Sequence, residues 1–406
     1  MNLLKLSWKY LIAKPLNTGL NILLLALGLA IITVLILIQD QFENKMNRDA
    51  TGIDLVIGAK GSPLQLVLSS VYHIDFPTGN IDLDEAVSIS KNRLIKNAIP
   101  LGLGDNYQGY RIVGTNHDYL ELYGVSFKEG NAWHKPFEVV LGSQVAKKLE
   151  LSLGSRFAGS HGIGSSSHDH DEHDYEVVGI LEASGNVTDQ LVLTSLESVW
   201  YTHDEEHDHE KFESAVATSG FPQSDEQREV TSLLVQYRNP IAAVQLPRFI
   251  NARSALQAAS PSFEISRLFE LLGVGISLVK GLAIIIIGIA GLGIFIALYN
   301  SLKERKYDLA IMRTIGASKG QLFTHILLEG LLLTFLGALT GLFIGHFFLW
   351  ILVMNNEQGA MSGLRADLFL AEEGWIVLYA LAVGVVASLI PALNAYRTDI
   401  AKQLTK

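Results

Sequence analysis

Two short stretches of the chain combine histidine with carboxylates and could therefore bind a metal ion. "SSSHDHDEHD" and "THDEEHDHE" supply imidazole and carboxylate groups, which are ligands for zinc and similar divalent ions. The candidate ligands are His161, His168, His170, His173, His203, His207 and His209. Three hypotheses stay open: solvated polar loops without a ligand, several weak overlapping metal sites, or a single ordered structural zinc site. The segment between the stretches is predicted to form two strands joined by a turn, and such a hairpin would bring the histidines to one end.

A second stretch, "ERKYDLAIMRTIGASKGQL", points to charge-mediated docking rather than metal binding. Its spacing predicts one amphipathic helix, because apolar residues recur three apart at Leu309, Met312 and Ile315 and Gly316 is placed to end the helix. The candidate docking residues are Glu304, Arg305, Asp308, Arg313, Gly316 and Ala317. The stretch is either a surface helix packed on lipid headgroups or a docking element for a cytoplasmic partner.

Composition excludes several other classes of function. The chain has 406 residues and no cysteine, which excludes disulfides, thiol catalysis and thiolate metal sites. Its net charge of −10 comes largely from the two histidine-rich stretches, and no basic face for nucleic acid is present. No G-x-x-x-x-G-K-[ST] phosphate loop occurs, since "GASKGQ" has the wrong spacing.

The elements that must position these residues include four apolar stretches, each long enough to cross a membrane. They lie near residues 20–38, 281–299, 327–353 and 375–393. Lys and Arg are concentrated in residues 1–15, in the 300–322 loop and in the C-terminal tail, whereas the 354–374 loop is mainly acidic. By the positive-inside rule, both termini and the 300–322 loop face the cytoplasm, and residues 40–270 lie outside.

The sequence therefore divides into five parts. We expect an N-terminal amphipathic helix and first span over residues 1–39, and an extracytoplasmic α+β domain over 40–270 with histidine-rich loops at 161–174 and 203–210. A stalk with the second span follows over 271–300, and a cytoplasmic coupling helix over 301–322. The last two spans and a cytoplasmic tail occupy 323–406.

Strand and helix patterns alternate in the outer part. "IDLVIGA", "GYRIVGT", "FEVVLG", "YEVVGIL", "QLVLTSL" and "TSLLVQYR" are predicted strands. "DLDEAVSISKNRLIKN", "HDYLELYG", "SQVAKKLELSLG" and "PIAAVQLPRFINARS" are predicted helices, the second closed by Gly124 and the third capped by Ser143.

Several of these segments resemble the FtsX/MacB/LolC class of ABC permeases. "ERKYDLAIMRTIGAS" is similar to the coupling signature of that class, and "KPLNTGLNILLLALGLAI" is similar to its first helix. "YRIVGTNHDYLELYG", "EVVLGSQVAKKLELSLGSRF" and "YEVVGIL" resemble its outer domain, and "IPALNAYRTDIAKQL" resembles its C-terminal end, with Asp399 where the class usually has proline.

The resemblance implies a four-span α-helical membrane protein with a porter-like α+β domain that carries an inserted β subdomain. It implies a multi-pass protein of the cytoplasmic (inner) membrane, which is not itself an enzyme and works as a dimer with itself or a paralogous permease. The coupling helix would dock on a separate ABC ATP-binding subunit, where ATP is bound. This subunit would drive a mechanotransmitting transporter, in which zinc and a periplasmic metal-binding protein or lipoprotein are further expectations. The alternatives are an FtsX-like regulator or scaffold that switches a periplasmic partner, and a metal-sensing receptor.

Overall fold

The computed structural model describes residues 3–161, 169–202, 215–223, 227–252, 255–355 and 364–397, with only the backbone described for 104, 160, 161, 169–173 and 355. The chain forms two compact units. The helical unit comprises Met1–Phe42, Leu271–Glu357 and Leu364–Lys406, and the sheet-rich unit comprises Glu43–Glu270 and Gln358–Gly363.

The described helices are α1 Leu3–Ala13, α2 Pro15–Asp49, α3 Pro63–Ser70, α4 Leu83–Ser90, α5 Asp118–Tyr123, α6 Ser143–Lys148, α7 Leu196–Thr202, α8 Ala242–Asn251, α9 Pro261–Glu304, α10 Lys306–Thr314, α11 Lys319–Asn355 and α12 Glu373–Tyr396. The described strands are β1 Leu55–Ala59, β2 Ile81–Asp82, β3 Ile95–Tyr107, β4 Tyr110–Thr115, β5 Phe127–Gly130, β6 Glu138–Leu141, β7 Arg156–His161, β8 Asp169–Leu181, β9 Val192–Ser195, β10 Glu229–Val230, β11 Ser232–Tyr237 and β12 Leu256–Ala259.

Four helices, α2, α9, α11 and α12, are long and apolar enough to cross a membrane. Helices α2 and α9 have 35 and 44 residues. At a rise of 1.5 Å per residue these are roughly 50 and 65 Å long, which exceeds the approximately 30 Å of a bilayer's hydrocarbon core. The four predicted spans are therefore confirmed, and three of them, including the 37-residue α11, continue well past the length that a bilayer requires.

Within the helical unit, a row of glycines on α11 allows α2 to approach closely. A Cβ on Gly341 would lie 2.9 Å from the carbonyl oxygen of Ala26, and one on Gly345 would lie 2.9 Å from the Thr33 side chain. Gly337 is similarly close to Leu25. Small residues four apart are needed here because lipid gives helices no hydrophobic drive to associate, so close van der Waals contact must hold them together.

In the sheet-rich unit, the large sheet has the strand order β12-β1-β11-β3-β4-β9-β6-β8-β5, and β7 pairs with both β3 and β8. The first part of β3 pairs with β11 and the later part pairs with β4 and β7. One buried apolar cluster includes Leu55, Leu233 and Leu246, and another includes Ile112 and Val139. The predicted fold class, an α-helical membrane protein with an α+β domain, is confirmed.

Three local predictions for this unit are wrong. The helix predicted over residues 82–97 ends at Ser90, and Ile95 begins β3, whose Ile99 and Leu101 are fully buried. Ser143 does not cap α6, because Gly142 occupies the cap position and no side-chain cap bond forms. β8 and β9 do not form a hairpin, since β6 lies between them and pairs with both.

We predict that Gly341→Ala destabilises the helical unit whereas Gly288→Ala does not. Alanine raises helix propensity at both positions by up to about 1 kcal/mol, so the two variants differ in what the new methyl group meets. At Gly341 it meets the backbone oxygen of Ala26, whereas at Gly288 nothing lies within 4 Å. Thermal unfolding of the detergent-purified proteins should show a lower midpoint for Gly341→Ala alone. An unchanged or higher midpoint for this variant would contradict the close-packing argument.

Candidate functional site

The predicted docking stretch forms α10, a short helix that packs on one end of the helical unit. Leu309 and Ala310 are buried. Leu309 belongs to an apolar cluster with Leu302 at the end of α9, Ile326 of α11 and Ala392 of α12, and Met312 packs against this cluster. The position of α10 is therefore set by three of the long helices rather than by a flexible loop.

The turn from α10 into α11 is built by two capping motifs. Gly316 has a φ of 107°, and the Ala317 amide donates to the carbonyl of Met312 at 2.9 Å, as in a Schellman motif. Ser318 and Gln321 then form a reciprocal capping box, in which each side chain accepts from the other residue's amide at 3.1 and 2.8 Å. The prediction that Gly316 ends the helix is confirmed.

Arg305 is directed into the helical unit and away from solvent. A guanidinium nitrogen of Arg305 lies 3.3 Å from a carboxylate oxygen of Glu329 on α11. The guanidinium carbon Cζ lies 3.8 Å from the centre of the Tyr10 ring. The Arg305 and Glu329 side chains are only 12% and 3% exposed. The preceding Glu304 forms an ion pair with Lys14, between α1 and α2. These two residues hold the start of α10 against α1 and α11.

The exposed face of α10 carries a different set of residues. Asp308 is exposed and makes no ion pair within the described part of the chain, while Tyr307 is 59% exposed. The guanidinium of Arg313 donates to the carbonyl of Ala317 at 2.7 Å. Ile315, which we predicted among the apolar residues of the amphipathic helix, is 81% exposed and follows the last helical residue.

Sequence reasoning missed Tyr307 as a surface residue of this helix. The signal was present, because Tyr307 is two residues before Leu309 and therefore lies on the opposite side of a helix from that apolar residue. The exposed surface of α10 therefore combines the charges of Lys306 and Asp308 with the exposed ring of Tyr307, and the exposed apolar side chain of Ile315 follows the helix.

The histidine-rich stretches lie mostly outside the described residues. His161 ends β7, and His170 and His173 lie on β8, with only their backbone described; the remaining predicted ligands, His168, His203, His207 and His209, lie outside the described residues. Among the residues that the structure describes, no group of three or more His, Cys, Asp or Glu could hold a metal ion. Zinc binding stays a prediction.

Residues beside the two histidine-rich stretches nevertheless lie close together, although β8 and β9 form no hairpin. β7 and β8 pair next to the first stretch, where Ser160 opposes Asp169. The Tyr175 hydroxyl on β8 lies 3.1 Å from the Thr202 hydroxyl, which immediately precedes the second stretch.

Comparison with known proteins places this geometry in a family. Residues 18–246 match the family model of the MacB-like periplasmic core domain, and residues 280–400 match the FtsX-like permease C-terminal family. The sequence is 23% identical over 421 residues to the pyoverdine export ATP-binding/permease protein PvdT of Pseudomonas putida, covering 99% of this chain and 59% of that protein. It is 21% identical to the macrolide export ATP-binding/permease protein MacB of Salmonella typhimurium, covering 98% of this chain and 59% of that protein.

Two further similarities concern parts of the chain. The ABC transporter permease YknZ of Bacillus subtilis is 27% identical over 157 residues, which is 34% of this chain and 35% of that protein. The solved extracellular domain of YknZ from Gram-positive bacteria aligns with a TM-score of 0.31 and 12% identity, covering 51% of this chain and 99% of that domain. The chain spans 59% of the length of PvdT and MacB. Because the core-domain family alone covers more than half of the sequence and the permease family covers the last three spans, the chain belongs to the MacB/FtsX-like family of ABC-transporter permeases.

Proposed function

We propose that this chain is the permease of a mechanotransmitting ABC transporter and that α10 is its contact with an ATP-binding subunit or domain. The observation that carries this proposal is the exposed surface formed by Tyr307 and Asp308 on α10 and by Ile315 just after it, on a segment that three long helices hold in place. The relatives PvdT and MacB are named as ATP-binding/permease proteins, which supports an ATP-binding partner for this chain.

Helix continuity supports a mechanical role. Helices α2 and α9 each run without a break through the chain positions where the helical and sheet-rich units divide, at 42/43 and 270/271. An unbroken α-helix has every interior backbone hydrogen bond in place, so a displacement of one end is carried along its length instead of being lost in a hinge. In the proposed mechanism, closure of the ATP-binding subunits moves the ends of these helices, and a dimer of permeases responds outside the membrane.

The roles of the predicted coupling residues differ in this proposal. Asp308 would contact the ATP-binding partner directly. Glu304 and Arg305 would act as positioning residues, because their charges are engaged by Lys14 and Glu329. Arg313, Gly316 and Ala317 would shape the end of α10 through the capping bonds. An FtsX-like regulator that switches a periplasmic partner would use the same contact and would differ only in what the outer domain acts on.

We predict that Asp308→Arg weakens the association with the ATP-binding partner and uncouples ATP hydrolysis from transport. The variant reverses an exposed charge that takes part in no described ion pair, so insertion and folding should be unaffected. Co-purification and ATPase assays in lipid would measure both effects. Glu372→Arg is the matched control, because it reverses an exposed acidic residue at the start of α12. Equal association and coupling of Asp308→Arg and the unaltered protein would contradict the docking role.

We predict that α10 is cytoplasmic and that the sheet-rich domain lies outside the cytoplasmic membrane. The Lys and Arg excess in the 300–322 loop motivates this orientation. The chain has no cysteine, so single cysteines can be introduced at two exposed positions, Lys91→Cys and Lys306→Cys. A membrane-impermeant thiol reagent should label only Lys91→Cys in intact cells and both variants after lysis. Labelling of Lys306→Cys alone in intact cells would reverse the topology.

A link to zinc is a further part of the proposal and is motivated by the seven clustered histidines. We predict that the detergent-purified chain binds more than one zinc ion weakly at neutral pH. Binding should weaken below a pH of about 6.5, because protonated imidazole does not bind metal. Calorimetry should show the heat of zinc binding in the unaltered chain and not after replacement of all seven histidines by serine, with unchanged circular dichroism. Zinc uptake that persists in the replaced chain would refute the assignment.

A further inference from the structure

The last turn of α2 is held by two tyrosine hydroxyls from distant parts of the sheet-rich unit. The Tyr72 hydroxyl donates to the carbonyl of Met46 at 3.1 Å, and the Tyr123 hydroxyl donates to the carbonyl of Asp49 at 2.9 Å. The last four carbonyls of a helix have no partner within the helix unless capping supplies one. Here side chains well outside the helix reach its end, so the end is attached to other elements and not only to the next residue in the chain.

Local bonds complete the attachment of this helix end. The hydroxyl of Thr51 donates to the carbonyl of Asn47 at 2.9 Å, and the Thr51 amide donates to the carbonyl of Arg48 at 3.1 Å. Lys45 lies 3.4 Å from the Asp49 carboxylate, and both side chains are largely buried. Every carbonyl of the final turn from Met46 to Asp49 therefore has a donor.

The two tyrosines belong to elements that are also joined to each other. Tyr72 closely follows α3, and Tyr123 is the last residue of α5. The next residue after Tyr72, His73, lies 3.2 Å from the hydroxyl of Tyr119, whose ring centre is 5.0 Å from that of Tyr123. Burial raises the pKa of both Tyr72 and Tyr123 above the ordinary value, so their hydroxyls stay protonated and remain donors.

The long helices enter the large sheet at neighbouring strands. β1 begins six residues after α2 ends, and β12 ends at Ala259, just before Pro261 begins α9. The two strands are antiparallel, with Val56 opposite Ala259, so both helices connect at the same end of this pair. A displacement of α2 relative to α9 would therefore act first on the β1–β12 pair and on the short connection over residues 50–54.

We propose that Tyr72 and Tyr123 form a clamp that passes movement of α2 to α3 and α5 instead of allowing residues 50–54 to absorb it. This inference rests on the proposed mechanotransmitting function and names two positioning residues for it. Without the hydroxyls, the final turn of α2 would stay attached through the chain itself, the bonds of Thr51 and the interaction of the Asp49 carboxylate with the Val187 backbone, none of which reaches α3 or α5. The response of α5 would then no longer follow the helix.

The test uses the full chain in complex with its ATP-binding partner and a single reporter cysteine, Glu121→Cys, at an exposed position of α5. The measured quantity is the ratio of thiol-labelling rates with and without ATP and vanadate. We expect this ratio to fall toward unity in the double variant Tyr72→Phe/Tyr123→Phe, which keeps both rings and removes only the hydroxyls. ATPase activity and association with the partner should be unchanged.

Tyr175→Phe is the matched control, because it removes a buried hydroxyl of the same unit that bonds Thr202 and not α2. The clamp is supported if the control keeps the nucleotide-dependent ratio and matches the double variant in thermal unfolding. An unchanged ratio in the double variant overturns the clamp while the proposed function stands. A ratio of unity in the parent reporter protein overturns the proposed transmission itself. If the double variant does not fold, the two single variants decide by the same comparison.

Discussion

The buried ion pair between Arg305 and Glu329 is the interaction on which the arrangement of the candidate site depends. Two charges that are 12% and 3% exposed are stable only together, because removing either partner would leave an uncompensated buried charge at a cost of about 3–5 kcal/mol. The pair joins the start of α10 to α11, and the stacking of Arg305 on Tyr10 adds α1. The start of α10 is therefore fixed to two other helices, which holds its exposed face in a defined orientation.

The sequence predicts the class of structure well because its strongest signals are local. Long apolar runs are sufficient to identify four spans, and Gly316 is sufficient to place the end of α10, since few other residues adopt its positive φ without strain. The same local rules identified six of the twelve described strands, from Leu55–Ala59 to Ser232–Tyr237, although with inexact ends.

The incorrect predictions concern segments whose structure depends on residues far away in the sequence. The segment after Ser90 has helical composition, yet Ile95–Tyr107 is a strand because β11 pairs with one part of it and β4 with the next. The inward direction of Arg305 depends on Glu329, which is 24 residues away and gives no sign in the motif. Sequence reasoning named candidate residues in the docking stretch, but it could not separate those that position the helix from those that face outward.

The long strand β3 also explains why a clamp at the end of α2 could act on the whole outer domain. Its 13 residues pair with β11 on the side of the sheet that carries β1 and β12, and then with β4, which leads into α5. The pairing with β11 ends at Leu101 and the pairing with β4 begins at Gly102, so β3 links the two parts of the sheet directly through its own backbone. In the proposed mechanism, movement passed on by Tyr72 and Tyr123 would therefore reach elements that β3 joins to the β1–β12 pair, and its direction would be set by how α2 shifts relative to α9.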